Sequence, residues 1–483
     1  MLFKGKNVVW FLLIAVVTCF IMFGITESSA SGGGASHALA TIADPNGGKT
    51  FSLDLRGINM SNNFSWIMIC GFTIWFMQVG FVLLGGLLPK KNCLNYMTHC
   101  FIATTLGVLI YWFVGFGVMF GGFEFLGQHV GKGNAFMGMG GFMLLGDAYD
   151  VRVILLFMFQ ACVATFIGSI IAGAVAERMK LCSFVLMFFF VYIFIYPVYG
   201  HWIWGEGWLW TLKYGAGVRD FAGSGVVHAI GGTIGFVGAC FLGPRKGRYN
   251  EDGSINEIPA HNVGYMILGT VLLAFGWLFY DAGSTLAAGD LRASIVAANT
   301  CLSGSVGAVT VLFLTWLLSG KTDVGEACNG ALAGLVAISA PCAYVAPWAA
   351  VLIGFIGAVA YLIAVWFIAN KLKVDDPLGA CSVHGVNGFW GLLAIGVFAD
   401  GSYGGVSGII AGNWGQLLAQ IIACVVALAW AGGLAVILFK LIGGKGNSHS
   451  KMRVSEEVEK DGLDIHIHGT ECYPDQETQG ATA

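Results

Sequence analysis

The chain has 483 residues, 57% of them hydrophobic and 11% charged, with a formal net charge of −3. Soluble domains carry about a quarter of their residues as charges, so an ordinary soluble enzyme and a disordered chain are excluded. The absence of a broad basic field excludes a nucleic-acid binder. The mean hydropathy of +0.77 leaves an integral membrane protein with many spans.

At the N-terminus, Lys4 and Lys6 precede an apolar run from Val8 to Phe23, followed by Ser28, Ser29 and Ala30. That order of charge, apolar run and small residues reads as a signal peptide over 1–30, with a retained first helix as the alternative. In both cases Asn63 starts outside. Residues 31–63 form a polar extracytoplasmic segment, 64–443 a transmembrane domain and 444–483 a cytoplasmic tail. Within 64–443, eleven apolar runs approach the ~20 residues that a helix needs to cross a bilayer. They begin near Phe64, Thr98, Val153, Cys182, Phe221, Asn262, Ala293, Ala327, Trp348, His384 and Gln416. Alternating direction places fifteen Lys and Arg on the inner side and seven on the outer, as the positive-inside tendency requires. The inner set includes Lys90, Lys91, Arg178, Arg245, Lys371 and the tail cations. The thirteen cysteines contain no C-x-x-C pair, sit singly and mostly inside apolar runs, and read as small buried hydrophobes.

The chain repeats a pattern. In 220–228 and again in 376–384, an Asp is followed by Gly at +3, Val at +7 and His at +8, and Gly232 and Gly388 lie four residues past each His. The first copy opens span five, which crosses inward, and the second opens span ten, which crosses outward. The predicted architecture is therefore an all-α membrane protein with a five-plus-five inverted repeat and a final helix, and such repeats place the working site at their interface near the midplane. Eight residues of helix advance ~12 Å, close to half of a ~30 Å core, so His228 and His384 both reach the midplane. They are read here as the only histidines deep within spans, where ionisable groups are costly and mostly functional. Two neutral imidazoles can share a proton and still offer a polar edge, a lining suited to a small neutral solute that both donates and accepts. Asp220 and Asp376 sit where a helix N-terminus needs a cap.

Asp220 to Ala229 and Val383 to Gly388 resemble the two signatures of the Amt/MEP/Rh ammonium transporter family, most closely its Amt branch. So do Gly85 to Asn92, Gly173 to Arg178, Val374 to Pro377 and the tail from Met452 to Asp464. The resemblance implies a non-enzymatic, cofactor-free ammonium transporter or channel in the plasma (inner) membrane. It implies a homotrimer with one narrow pore per subunit, which takes up ammonium, and by extension methylammonium, at an outer vestibule and strips a proton. Ammonia then passes twin histidines, here His228 and His384. Trp204 falls on the vestibule tryptophan, Ser284 on the vestibule serine and Asp220 on the essential aspartate behind them. A PII-type regulatory protein is the partner implied for the tail. Two positions depart from the family: of its paired phenylalanine gate, the first falls near Val163, flanked by Phe159 and Phe166, and the second on Tyr280, with Asp281 next to it. The alternative readings are an ammonium sensor with little flux and, from another class, a membrane cytochrome with bis-His haem ligation. His466, His468, Glu471 and Cys472 read either as a metal-binding hint or as part of a mobile polar tail.

Overall fold

The computed structural model describes residues 53–443 and 449–473. The expected signal peptide, most of the 31–63 segment and residues 444–448 and 474–483 lie outside the described residues. Each of the eleven apolar runs becomes a helix. Ten are long and apolar enough to cross a bilayer: α1 (Asn59–Leu87), α2 (Lys90–Phe120), α3 (Val151–Val175), α4 (Leu181–Ile203), α5 (Ser224–Leu242), α6 (Val263–Gly283), α7 (Arg292–Ser319), α9 (Pro347–Asn370), α10 (Cys381–Phe398) and α11 (Trp414–Gly443). The run near Ala327 differs. It forms α8 (Val324–Ser339), only 16 residues, and gives way to a turn that leads to Pro347, whose fixed φ opens α9. A two-residue hairpin, β1 (Glu124–Phe125) against β2 (Gln128–His129), follows α2.

Polar side chains at helix starts satisfy the free backbone donors there. Asp150 accepts from the Arg152 N–H ahead of α3, Asn262 from Tyr265 ahead of α6, and Asp323 from Glu326 ahead of α8. Phe72, Trp75 and Phe76 on α1, Phe275 on α6, Trp316 on α7, Phe367 on α9 and Val425 on α11 are exposed. A surface this apolar suits lipid and would aggregate in water. By contrast 89% of the apolar stretch of α3, 78% of that of α5 and 67% of that of α10 is buried, so the repeat signature lies in the interior of the bundle.

The repeat is visible in the backbone. Each His lies in a wide turn that opens its span, Ser224–Ala229 in α5 and Cys381–Val386 in α10; an extra residue per turn of this kind recurs at functional sites. The glycine at +3 is left-handed in both copies, Gly223 with φ +105° and Gly379 with φ +70°. The two openings then cross at glycine. A Cβ on Gly232 would lie 2.2 Å from the Gly385 nitrogen, and one on Gly388 would lie 2.5 Å from the Ala229 nitrogen. Each copy's second glycine thus rests on the residue that follows the other copy's histidine.

Residues from the loops expected inside gather at one end. Arg245 donates to Asp375 at 2.7 Å and pairs with Glu177, joining the ends of α3, α5 and α9. The described part of the tail, 449–473, packs on this end rather than forming the mobile polar segment that its composition suggests. Arg453 bonds Glu459 at 2.8 Å and the Leu242 carbonyl at 2.7 Å. Asp464 accepts from the Leu94 and Asn95 N–H groups at 2.9 and 2.8 Å. No group of three His, Cys, Asp or Glu side chains among the described residues is placed to hold a metal.

Candidate functional site

The site follows from the crossing. Where α5 and α10 meet, the His228 and His384 Nδ1 atoms are 3.1 Å apart, with the rings nearly parallel at 18° and centroids 5.1 Å apart. Both side chains are buried. One Nδ1 must donate and the other accept, which fixes opposite tautomers. The outward-facing nitrogens are then one acceptor and one donor, and His228 Nε2 has no protein partner among the described residues. Rings already in hydrogen-bond contact leave no plane between them for a porphyrin, which disposes of the haem reading.

A cavity of about 810 Å³ opens above the pair. Trp204, Asp220, Tyr280 and Ser284 line it, with Phe159 and Val163 on the α3 side. Trp204 is fixed by its indole N–H, which donates to the Asp220 carbonyl at 2.8 Å. The Ser284 hydroxyl donates to the Tyr280 carbonyl at 2.9 Å, which leaves its lone pairs free to accept. Gly223 separates the Tyr280 hydroxyl from the Trp204 ring: a Cβ there would meet them at 2.8 and 3.1 Å. The Asp220 carboxylate points away from the cavity into the α5 start, where it accepts from the Gly223, Gly225 and Val226 N–H groups, each at 2.8 Å. Asp376 does the same five residues before Cys381, at 2.7 Å. The two aspartates therefore hold the broken helix starts that carry the histidines.

The floor of the cavity is aromatic. The ring stacked on Tyr280 is that of Phe166, with centroids 5.3 Å apart and planes 11° apart, whereas Val163 is buried one turn further out on the wall. Residues 163 and 166 share one helix face, so a phenylalanine three positions along reaches what residue 163 cannot. Below the floor, Trp277 stacks on His228 at 5.1 Å and 18°, oriented by its N–H bond to the Ser339 hydroxyl at 2.8 Å. Beyond His384 lies a cavity of about 20 Å³, lined by Phe81, Ser169, Asn329 and Leu332 among others, room for about one water. Sequence reasoning named Phe166 only as a flank of Val163 and missed Phe81 and Trp277. The signal for Trp277 was its place one helical turn before Tyr280.

His228 and His384 are not the only buried histidines. His99 is fully buried, its ring 4.1 Å from that of Phe184 and stacked at 22°. His201 is buried too, bonded to the carbonyls of Met119 and Asn134. Apolarity places the start of this run near Thr98, but the span starts at Lys90, which moves His99 more than two turns inward.

The fold and site are thus those of a multi-pass helical membrane protein with an aromatic-rimmed cavity above two paired mid-span imidazoles. Residues 65–473 match the Ammonium Transporter Family. "Ammonium transporter Amt2" of Archaeoglobus fulgidus is 43% identical over 450 residues, 89% of this chain and 92% of that protein. "Ammonium transporter 3" of Dictyostelium discoideum is 35% identical over 85% of this chain and 93% of its own length. Among solved structures, the "Sensor Amt Protein" superposes with a TM-score of 0.78 at 33% identity, covering 85% of this chain and 99% of that one. Mep2 of Saccharomyces cerevisiae gives 0.72 at 28% identity, over 82% and 88%. The chain belongs to the ammonium transporter family, whose members are transporters and not enzymes.

Proposed function

We propose that this protein takes up ammonium at the outer cavity, releases its proton to the water of that cavity near the Phe166–Tyr280 floor and passes ammonia along His228 and His384 to the inner side. The observation that carries this reading is the buried imidazole pair at 3.1 Å, with a cavity on either side of it. A free ammonium ion resists desolvation, and too few oxygens line the route to replace its water shell. Ammonia can donate to the open imidazole nitrogen and accept from the N–H of its partner. At the mouth, Trp204 offers a π face worth ~0.5–2 kcal/mol to a cation, and the Ser284 and Tyr280 oxygens are acceptors. Phe166 and Tyr280 act as the gate, in place of a Val163–Tyr280 pair.

The test is methylammonium flux and ammonium-driven current in proteoliposomes. Wild-type protein should show flux, with a current only where the released proton also crosses, and His228→Ala and His384→Ala should each lower flux by about tenfold or more. Wild-type vesicles without flux would overturn the transport reading. Binding of methylammonium without flux would support the second reading, a sensor, which the superposition on the "Sensor Amt Protein" favours.

The same reading places the protein in the plasma (inner) membrane as a homotrimer. The N-terminus is extracytoplasmic after cleavage at residue 30, and the tail is cytoplasmic. The clustering of basic loops at one end supports this orientation. The docked tail and these loops form the face offered to a PII-type regulatory protein.

A further inference from the structure

The outer cavity has a charged residue that the transport route does not use. We propose that Glu206 collects cations at the mouth and sets the apparent affinity for ammonium; the inference rests on the reading of this cavity as the ammonium entrance.

Glu206 lies on the cavity wall, two residues past Trp204, and is exposed. Its backbone is left-handed, with φ +60°, a conformation that glycine adopts readily and a glutamate does not. Its neighbours are glycines for steric reasons. A Cβ on Gly205 would lie 2.3 Å from the Met119 carbonyl oxygen, and one on Gly207 would lie 2.7 Å from that of Ala135. At the middle position, where a glycine would also relieve the backbone, the chain keeps a carboxylate. Strain of this kind persists at functional sites.

The charges around it give the sign. Two guanidinium groups share the wall. Arg292 is neutralised by Asp290 at 2.6 Å. Arg219 lies 3.5 Å over the Trp210 ring and bonds backbone carbonyls of Trp210 and Val218, so it has no carboxylate of its own. Burial weighs against the Arg219 charge, and the fields of the Tyr344 phenol and, after it, the Glu206 carboxylate act in its favour. Of the other acids on the wall, the exposed Glu124 lies 3.4 Å from the His129 imidazole, which balances it only when protonated, and Asp220 is turned into the α5 start. Among the described residues, no hydrogen bond or ion pair holds the Glu206 carboxylate. It therefore offsets Arg219 and leaves the mouth attractive to a monovalent cation. Without it, Arg219 repels the substrate.

The experiment is the concentration dependence of methylammonium flux in proteoliposomes at two ionic strengths. Glu206→Gln and Glu206→Gly should both raise KM about three- to tenfold at ~0.01 M salt, where the screening length is about 30 Å. The difference should shrink to about twofold at ~0.5 M, and kcat should stay at the wild-type value throughout. Glu206→Asp should keep KM within about twofold of wild type. Because Glu206→Gly suits the left-handed backbone, it removes the charge without a folding penalty. A wild-type KM in both neutral variants at low salt overturns the proposal, as does a rise that salt leaves unchanged. If the wild type binds but does not transport, methylammonium binding read from tryptophan fluorescence supplies the same comparison. The transport reading then fails while the role of Glu206 is still decided.

Discussion

At the residue scale, the phenol of Tyr280 is the most informative departure from the family pattern. Its ring does what a phenylalanine would do, stacking on Phe166, and its hydroxyl is buried without a protein partner. A buried hydroxyl left unpaired costs about 1–3 kcal/mol, so stability alone argues for phenylalanine. The oxygen lies beside the Trp204 ring across Gly223, where it can accept from a captured ammonium. Tyr280→Phe should therefore leave thermal stability unchanged or slightly raised while raising the KM for methylammonium about three- to tenfold. Uptake kinetics and a melting curve on the same preparation check both halves, and an unchanged KM would count against a role for the hydroxyl. The sequence made the positions of Trp204, Ser284, Tyr280 and the two histidines legible, because each sits in a short motif. It leaves Phe166 as a mere flank of Val163, because the spacing points to residue 163, while the ring comes from the next turn of the same helix face. It hid the burial of His99 because apolarity marks a span's start less sharply than the helix does.

At the element scale, the same arithmetic that found the repeat also explains why the imidazoles meet. Asp at 0, Gly at +3 and His at +8 translate into a cap, a left-handed turn and a wide first turn in both copies. The glycines at +12 let the two openings cross in contact. What the pattern did not reveal was that each of these glycines touches the backbone beside the opposite histidine; that contact depends on how two distant segments pack. Gly232→Ala places a Cβ 2.2 Å from the Gly385 nitrogen and 2.4 Å from its Cα, atoms with no rotamer to relieve the clash. The cost should be on the order of 3 kcal/mol, and the imidazoles should move apart. Flux should fall about as far as in the histidine variants, with a lower melting temperature. Gly433→Ala is the control: its Cβ meets nothing within 4 Å, and both properties should stay at wild-type values. If Gly232→Ala transports normally, the crossing does not set the ring geometry. The short α8 belongs to this scale as well, since an apolar run shows where a helix forms more reliably than how far it extends.

At the scale of the whole molecule, the end that gathers the basic loops is held by charge, and this is only half legible in the sequence. The excess of Lys and Arg gave the shared side of the loops but not their partners, because pairing depends on which loop ends the bundle brings together. Asp375 is the centre. It accepts from the Arg245 backbone N–H at 2.9 Å, from its Nε at 2.7 Å and from its Nη2 at 2.9 Å, and Arg248 approaches to 3.5 Å. Burial alone would push the Asp375 carboxyl up. The Arg245 hydrogen bonds and charge, with the charge of Arg178, outweigh it and hold the group at about 2. An unfolded aspartate titrates near 3.9, so the folded value is the depressed one. The stabilisation it brings is therefore fully present above about pH 4 and is lost as pH falls toward 2. Asp375→Asn keeps the shape but leaves Arg245 with Glu177 as its one remaining carboxylate, and breaking a buried pair in this way costs about 3–5 kcal/mol. The melting temperature of the detergent-solubilised variant should thus be lower than wild type at pH 7. The gap should narrow as pH falls from 5 to 3, because the wild type loses by protonation what the variant already lacks. A gap that stays constant with pH would mean that the carboxylate charge is not what joins α3, α5 and α9 at this end.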